Sequence, residues 1–216
     1  MYCANTGSSD KPMSIQPYTA DQNDALQEVV NIAMGQAGDS LARILNNFVE
    51  LSVPRIRLVT VKDVVKTVTD MVEPQAEVSA VRQAFFNGLR GEAIVVFPQR
   101  GCEELADLMG YDSELDHAAE QELLLDVANL LVGAIINGIS ETLGTDLSFS
   151  APSLMAEHCP LDLVLVPEQL SWSHALLLEV NFTVENRDFK SHLLMFMTEE
   201  AIDTLRTIID EFMDAI

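Results

Sequence analysis

Two long amphipathic helices are predicted from the spacing of apolar residues. In the first, which Asp21 or Asn23 can cap and which runs to about Asn47, apolar residues recur at steps of three or four and form one stripe: Leu26, Val30, Ala33, Ala37, Leu41, Ile44 and Phe48. The second helix spans about Leu115 to Leu143, and Gly144 ends it. Stripes of this kind predict helices that pack on a core.

Runs of alternating or continuous apolar residues predict the strands. In the first half, strands are predicted at Leu51 to Val61, Ala76 to Phe86 and Leu89 to Phe97, and helices at Lys62 to Asp70 and, after Pro98, at Gln99 to Met109. The dipeptide Asn87-Gly88 predicts a hairpin turn, because both residues tolerate a positive φ. In the second half, strands are predicted at Leu147 to Met155, at His174 to Glu185 and, after Asn186-Arg187, at Phe189 to Met197, with a final helix at Glu199 to Met213. Leu161 to Val166 can form a further strand.

The two halves share one order of elements, which indicates an internal duplication. They cover residues 21–110 and 115–216, with a linker at Tyr111 to Asp116, and the polar residues 1–20 are expected to form a disordered leader. The predicted fold is α/β, with two pseudo-symmetric halves that share a largely antiparallel sheet. We expect the two long helices to lie together on one face of that sheet.

A polar pattern also occurs twice, once in each long helix. Asp24, Glu28 and Asn31 are followed by twenty-two residues and Pro54, and Glu122, Asp126 and Asn129 are followed by twenty-two residues and Pro152. The spacing i, i+4, i+7 places each triplet on one helix face. Because Glu28, Asn31, Asp126 and Asn129 lie off the apolar stripes, we expect these four side chains to be exposed.

The pattern acid/Ser-x-x-x-Glu-x-x-Asn, twenty-two residues, Pro resembles the CheC/CheX/FliY family of bacterial chemotaxis phosphatases, over roughly residues 20 to 215. The first copy, from Asp24 to Pro54, matches in full. The second copy keeps Asn129 and Pro152 but has Asp126 for the motif Glu and Glu122 for the motif Asp or Ser. Proteins of the CheC type carry two such helices, as this chain does.

The resemblance implies a hydrolase that removes the aspartyl phosphate of a CheY-type response regulator in chemotaxis or two-component signalling. By analogy, Asn31 orients the attacking water and Glu28 pairs with the regulator's active-site lysine, and Asn129 and Asp126 take these roles in the second copy. Asp24 and Glu122 would contact the partner, and Pro54 and Pro152 would shape the chain below each site. The chain would need no metal of its own, since Mg²⁺ would come with the phosphorylated regulator.

Two other readings are open. The chain can be a non-catalytic adaptor that binds a response regulator or the receptor deamidase CheD, or a flagellar switch-like domain related to the FliM middle domain. The resemblance implies that switch-type relatives lack the Glu and Asn pair, so the intact Glu28 and Asn31 favour the enzyme. A purely structural or oligomerisation domain would leave the duplicated polar face unexplained.

Composition narrows the class of partner. The chain has 34 acidic and 12 basic residues and a formal net charge of −22. This charge argues against nucleic acid and against anionic membrane surfaces, although solubility alone accounts for it. The most apolar stretch, Leu123 to Ile139, contains Asp126 and Asn129 and is short for a membrane span. We therefore expect a cytoplasmic protein.

The cysteines and histidines show no pattern of a metal site. Cys3, Cys102 and Cys159 are odd in number and lack paired spacing, so we expect reduced thiols. The four histidines lack ligand spacing, which predicts that the chain binds no metal ion by itself; they are His117, His158, His174 and His192.

Overall fold

One antiparallel sheet runs through both halves of the chain. The computed structural model describes residues 18–69, 77–99, 105–107, 115–165, 174–185 and 190–214. Its helices are α1 (Ala20–Leu45), α2 (Val61–Thr69), α3 (His117–Leu143), α4 (Leu161–Val164) and α5 (Glu199–Asp214). Its strands are β1 (Val49–Leu51), β2 (Arg55–Thr60), β3 (Glu77–Asn87), β4 (Gly91–Pro98), β5 (Leu147–Phe149), β6 (Ser153–Pro160), β7 (His174–Val184) and β8 (Lys190–Met197).

The two halves exchange strands. The order across the sheet is β1, β7, β8, β4, β3, β5; in addition β2 pairs with β7 and β6 with β3, and all these pairs are antiparallel. Thus β1 and β2 extend the hairpin of the second half, while β5 and β6 extend the hairpin of the first. Reversing the order exchanges equivalent strands, so an approximate two-fold axis passes between β4 and β8. The predicted α/β fold with two pseudo-symmetric halves is confirmed.

The long helices α1 and α3 lie side by side on one face of the sheet, as predicted. Their apolar residues, with α5 and alternate strand residues, form the larger core. A smaller core on the opposite face contains Val64 and Val68 of α2 and Val164 of α4. By length and composition α3 could cross a membrane, but most of its apolar stretch is buried within the protein. Its strong hydrophobicity is therefore that of a core helix.

The start of α1 differs from the prediction. Thr19, rather than Asp21 or Asn23, caps the helix: its Oγ1 accepts a hydrogen bond from Gln22 N at 3.2 Å, and Gln22 Oε1 accepts one from Thr19 N at 3.0 Å. This reciprocal pair is a capping box, which leaves fewer helix N–H groups without a partner.

The end of α1 corrects the predicted stripe. The stripe is buried from Leu26 to Leu41, but Ile44 and Phe48 are 60% and 62% exposed. The helix ends at Leu45, and Asn46 takes a left-handed φ of 49°. Because the chain turns there towards β1, Phe48 lies outside the helix and does not continue its buried face.

Each of the two strands that were predicted to contain a proline is divided in two. Pro54 lies between β1 and β2, and Pro152 lies between β5 and β6. Proline has no N–H to donate to a neighbouring strand, so an interruption at these positions follows from its chemistry. The possible strand at Leu161 to Val166 is instead the short helix α4, which begins directly after Pro160 at the end of β6.

Several predicted features lie at the limits of the described residues. Pro98 is the last residue of β4 and Gln99 forms a bend, so the predicted helix does not begin there; residues 105–107 are helical, and the rest of that prediction lies outside the described residues. Residues 1–17, the Asn186-Arg187 turn and linker residues 111–114 also lie outside them. Asn87 has a φ of 81°, but Gly88 does not have a positive φ, and the last pair between the two strands is Phe85 with Gly91. The hairpin of β3 and β4 forms as predicted, but its turn is longer than the predicted Asn87-Gly88 pair.

Tyr18 connects the start of the described chain to α5. Its hydroxyl donates a hydrogen bond to Ile202 O at 3.1 Å, and the Arg206 guanidinium lies 5.2 Å from the ring centre. Burial raises the pKa of the Tyr18 phenol to about 12, although the charge of Arg206 partly opposes this shift. Tyr18 and Thr19 thus belong to the folded part of the chain.

The close contact between α1 and α3 gives a prediction about stability. A Cβ atom on Gly138 of α3 would lie 2.5 Å from Ala33 O of α1, so Gly138→Ala would force the two helices apart. We expect the free energy of unfolding to fall by about 1 to 3 kcal/mol in denaturant titrations. Gly35→Ala is the matched control, because a Cβ there meets no atom within 4 Å. Its better helix propensity should raise stability by up to about 1 kcal/mol, and a Gly138→Ala protein as stable as this control would contradict the packing.

Candidate functional site

The two polar triplets lie on the exposed faces of α1 and α3. The four side chains predicted to be exposed are exposed: Glu28, Asn31, Asp126 and Asn129. Asp24 and Glu122 are exposed as well. The apolar residues between them, such as Val30 and Val127, are buried in the larger core. Each helix is therefore anchored through its apolar face, which holds the acid and the Asn in a fixed position toward solvent.

In the first site, a glutamine fixes the carboxamide of Asn31. Gln27 Nε2 donates a hydrogen bond to Asn31 Oδ1 at 3.2 Å and a second one to Pro54 O at 3.3 Å. Gln27 precedes Asn31 by one helical turn, so both side chains lie on the same side of α1. The motif proline is buried and contributes its carbonyl oxygen to this arrangement. Pro54 thus has a structural link to the Asn that its spacing alone did not explain.

In the second site, a glutamine from a different element makes the corresponding contact. Gln83 Nε2 of β3 donates to Asn129 Oδ1 at 2.9 Å and to Ser150 O at 2.6 Å. Gln83 is only 1% exposed, and among the described residues its Oε1 atom has no hydrogen-bond partner. A buried glutamine with one orphaned oxygen lowers stability, so its placement under Asn129 suggests a role in orienting that side chain.

In both sites, the Asn Oδ1 accepts a hydrogen bond from a glutamine that also donates to a backbone carbonyl near the motif proline. The Oδ1 atom is held toward the loop that contains the motif proline, and within the described residues the Nδ2 group donates to no protein acceptor. Oδ1 also retains a second lone pair. Each site therefore offers a positioned donor and a positioned acceptor, with an acid, Glu28 or Asp126, one turn away on the helix.

Each site is built from both halves of the chain. Ser52 N donates to Asn181 O at 2.9 Å, and Asn181 N donates to Ser52 Oγ at 3.0 Å. In the second site, Ser150 N donates to Ala84 O at 2.8 Å, and Ala84 N donates to Ser150 Oγ at 3.1 Å. These serine pairs fasten each proline loop to the hairpin of the opposite half and so fix the distance between loop and helix.

The charge of the site favours a cationic partner group. Four exposed carboxylates lie on the motif faces, and the whole chain carries a formal charge of −22. An ammonium or guanidinium group of a partner is therefore attracted to these faces. In the described ranges, no group of three or more His, Cys, Asp or Glu side chains could hold a metal ion.

Comparison with known proteins shows which proteins the chain is similar to. The family model "CheC-like family" matches residues 22–57, which contain the first motif copy from Asp24 to Pro54. The crystal structure of Thermotoga maritima FliY is similar, with 22% identity and a TM-score of 0.68 over 91% of this chain and 99% of that one. A candidate chemotaxis protein from Desulfovibrio vulgaris Hildenborough has 16% identity and a TM-score of 0.51, with 78% and 95% covered. A chain of the FliG–FliM complex from H. pylori has 9% identity and a TM-score of 0.58, with 88% and 100% covered.

The fold is thus the one found in FliY and in FliM. The match to the CheC-like family model confirms the predicted resemblance of the chain to the CheC/CheX/FliY family and supports a role in chemotaxis.

Sequence reasoning missed Gln27 and Gln83. Gln27 lies one residue before the motif acid, and its spacing of four from Asn31 is the signal that could have found it. Gln83 carries no local signal, because its contact to Asn129 depends on the pairing of β3 with β5.

The two glutamines give a prediction about side-chain order. Gln83→Leu removes both hydrogen bonds of the Nε2 group and also the orphaned Oε1 atom, so the free energy of unfolding should fall by only about 1 to 2 kcal/mol. The Asn129 side-chain amide should lose its fixed orientation, and its two N–H resonances should move toward the shifts of a free amide in NMR spectra. In the same variant, the Asn31 resonances should stay in place. In Gln27→Leu, the Asn31 resonances should move and the Asn129 resonances should stay in place. An unchanged Asn129 amide in Gln83→Leu would contradict the positioning role.

Proposed function

We propose that the chain is a protein aspartyl-phosphate phosphatase that acts on a CheY-type response regulator in chemotaxis or two-component signalling. One observation carries this proposal: Asn31 is exposed one turn from Glu28, and its carboxamide is held in place by Gln27 and the Pro54 carbonyl. An amide has no useful acid–base chemistry near neutral pH, so its value lies in orienting other groups. A phosphoryl group that is already activated on a partner needs mainly such orientation.

In this mechanism, Asn31 enters the phosphorylation pocket of the regulator. Its Oδ1 lone pair accepts a hydrogen bond from a water molecule, whose oxygen then attacks phosphorus in line with the bond to the aspartyl oxygen. That P–O bond breaks, the aspartate leaves as a carboxylate, and the proton of the water passes to the phosphate or to solvent. The Nδ2 group can donate to a phosphoryl oxygen, where negative charge is concentrated.

The acids dock the partner rather than react. Glu28 would pair with the active-site lysine of the regulator, and Asp24 would contact the partner one turn further along α1. Mg²⁺ bound to the regulator would neutralise charge on the phosphoryl oxygens. In the second site, Asn129 also accepts a hydrogen bond from a glutamine, but the Asp126 side chain is one methylene shorter than Glu and reaches less far. We therefore propose that the second site, with Glu122 at its edge, contributes less to turnover.

The second candidate function is a non-catalytic one, and the likeness of the fold to FliM favours it. In this case the chain would be a cytoplasmic adaptor or switch-like domain that binds a response regulator or CheD without hydrolysis. The fold is compatible with both functions, since the same sheet and helices occur in FliY and in FliM. The two functions differ in whether Asn31, which Gln27 holds in place, accelerates the loss of phosphate from the regulator.

The test is the decay of phosphate from a panel of phosphorylated response regulators of the same organism. Asn31→Ala removes the orienting amide from an exposed position, so the unfolding free energy should change by less than about 1 kcal/mol. The rate at saturating protein should fall on the order of 100-fold, which is a common cost of lost positioning. Glu28→Ala should also weaken docking, because it removes a charged contact. Asn129→Ala and Asp126→Ala should have smaller effects.

The control separates the two candidate functions. A chain with both Asn31→Ala and Asn129→Ala should still bind the regulator but should leave its phosphate lifetime as it is without the protein. If this double variant accelerates decay as the parent does, the proposed mechanism is wrong. If the parent binds a regulator and accelerates the decay of none, the adaptor function is correct.

A further inference from the structure

The first site opens into a groove beside α1. The groove has a volume of about 530 Å³ and runs between α1 and the segment from Phe48 to Pro54. Asn31 lines it, so the groove is continuous with the candidate site. Two apolar side chains at its edge are strongly exposed: Phe48 at 62% and Val53 at 75%. Exposed apolar side chains grouped beside a functional residue are typical of interaction sites.

The internal duplication shows what keeps this groove open. At the equivalent place in the second half, the Phe149 ring lies against α3, since a Cβ on Gly133 would be 3.2 Å from Phe149 Cζ. A shift of 98 residues, the spacing of the two motif Asn residues, relates Gly133 to Gly35 and Phe149 to Leu51. A Cβ on Gly35 would meet no atom within 4 Å, and Gly35 is exposed, whereas Gly133 is buried. The smaller Leu51 thus leaves open the space that Phe149 fills.

The edges of the two sites also differ, since large apolar side chains are present only at the first. The same shift relates Phe48 to Asp146 and Val53 to Ala151, so the large apolar side chains of the first site are replaced by an acid and a methyl group. The first site therefore has both an open groove and an apolar edge.

The charge of the groove indicates the kind of side chain that it accepts. Its lining contains two acids, Asp39 and Glu50, and no Lys, Arg or His. A partner segment that carries an apolar side chain beside a lysine or arginine would match both the apolar edge and these carboxylates.

We infer that the groove beside Asn31 is the docking site for a surface loop of the response-regulator receiver domain, with an apolar side chain next to a basic one. The loop would lie beside the phosphorylation pocket, because the groove adjoins the Asn that enters this pocket. The inference rests on the proposed function and assigns the productive encounter to the first site. The duplicated sites would then differ in partner affinity as well as in the length of the acid.

The test exchanges the residue that closes the groove. Leu51→Phe installs the side chain that fills the second site, and Gly35 leaves it the same room that Gly133 leaves Phe149, so the variant should fold. The probe is a CheY-type receiver domain of the same organism, activated with beryllofluoride and Mg²⁺, and the readout is the dissociation constant by calorimetry. We expect the dissociation constant to rise by about tenfold, as for loss of a buried anchor. In a separate assay with the phosphorylated receiver at saturation, the rate of phosphate release should stay within about twofold of the parent.

Two further variants keep the test decisive. Phe48→Ala removes an exposed ring with little effect on folding and should also raise the dissociation constant by about tenfold. Phe149→Leu is the matched control, since it opens the second site without giving it an apolar edge. The dissociation constant of this variant for the receiver should stay within about twofold of that of the parent.

The outcomes separate this inference from the proposed function. If the receiver binds Leu51→Phe and Phe48→Ala as it binds the parent, while Asn31→Ala remains inactive, the groove assignment is wrong and the phosphatase stands. If binding depends on the groove but no phosphate is released faster, the docking site stands and the catalytic proposal is wrong. If no receiver binds the parent, both are wrong. If Leu51→Phe abolishes self-association of the chain instead of receiver binding, the occupant is a second copy, and the assignment to a receiver is wrong.

Discussion

The exchange of strands between the two halves is the constraint on which both sites depend. Ser52 and Ser150 each make two hydrogen bonds to the hairpin of the opposite half, at 2.8 to 3.1 Å. These bonds hold each proline loop in place beside its helix. Because the Pro54 and Ser150 carbonyls take part in fixing the glutamines, the orientation of each Asn depends on the pairing of strands far apart in sequence. Neither half could build a complete site alone.

Duplication leaves each copy free to vary within one architecture. Both Asn side chains accept a hydrogen bond from a glutamine, yet Gln27 comes from the same helix as its Asn, whereas Gln83 comes from the sheet. The groove shows a parallel difference, since Leu51 leaves it open and Phe149 fills it. In the proposed function, the first site is the principal one. The second site retains a hydrogen-bonded Asn but is less accessible to the regulator.

Features with a local periodic signal could be predicted from the sequence. The two long helices, the hairpin of β3 and β4, the shared sheet and the exposure of Glu28, Asn31, Asp126 and Asn129 follow from spacing and turn chemistry. The capping box also had a signal, since Thr19 precedes Gln22 by three residues, but the acid and Asn nearby were preferred as caps. The exposure of Phe48 depends on where α1 ends, and helix ends are the least certain part of a periodic pattern. Gln83 and the open groove depend on long-range strand pairing, which leaves no local trace.

The side-chain amide of Asn31 offers the most direct measurement of the central claim, that this group enters the phosphorylation pocket of a receiver domain. Its ¹⁵N–¹H resonances can be followed by NMR while a receiver activated with beryllofluoride and Mg²⁺ is added. If Asn31 enters the pocket, these resonances should shift strongly, and the Nδ2 hydrogens should exchange more slowly with solvent. Asn129 should respond more weakly. Unchanged Asn31 resonances, at receiver concentrations where backbone signals elsewhere show that the complex has formed, would contradict the account.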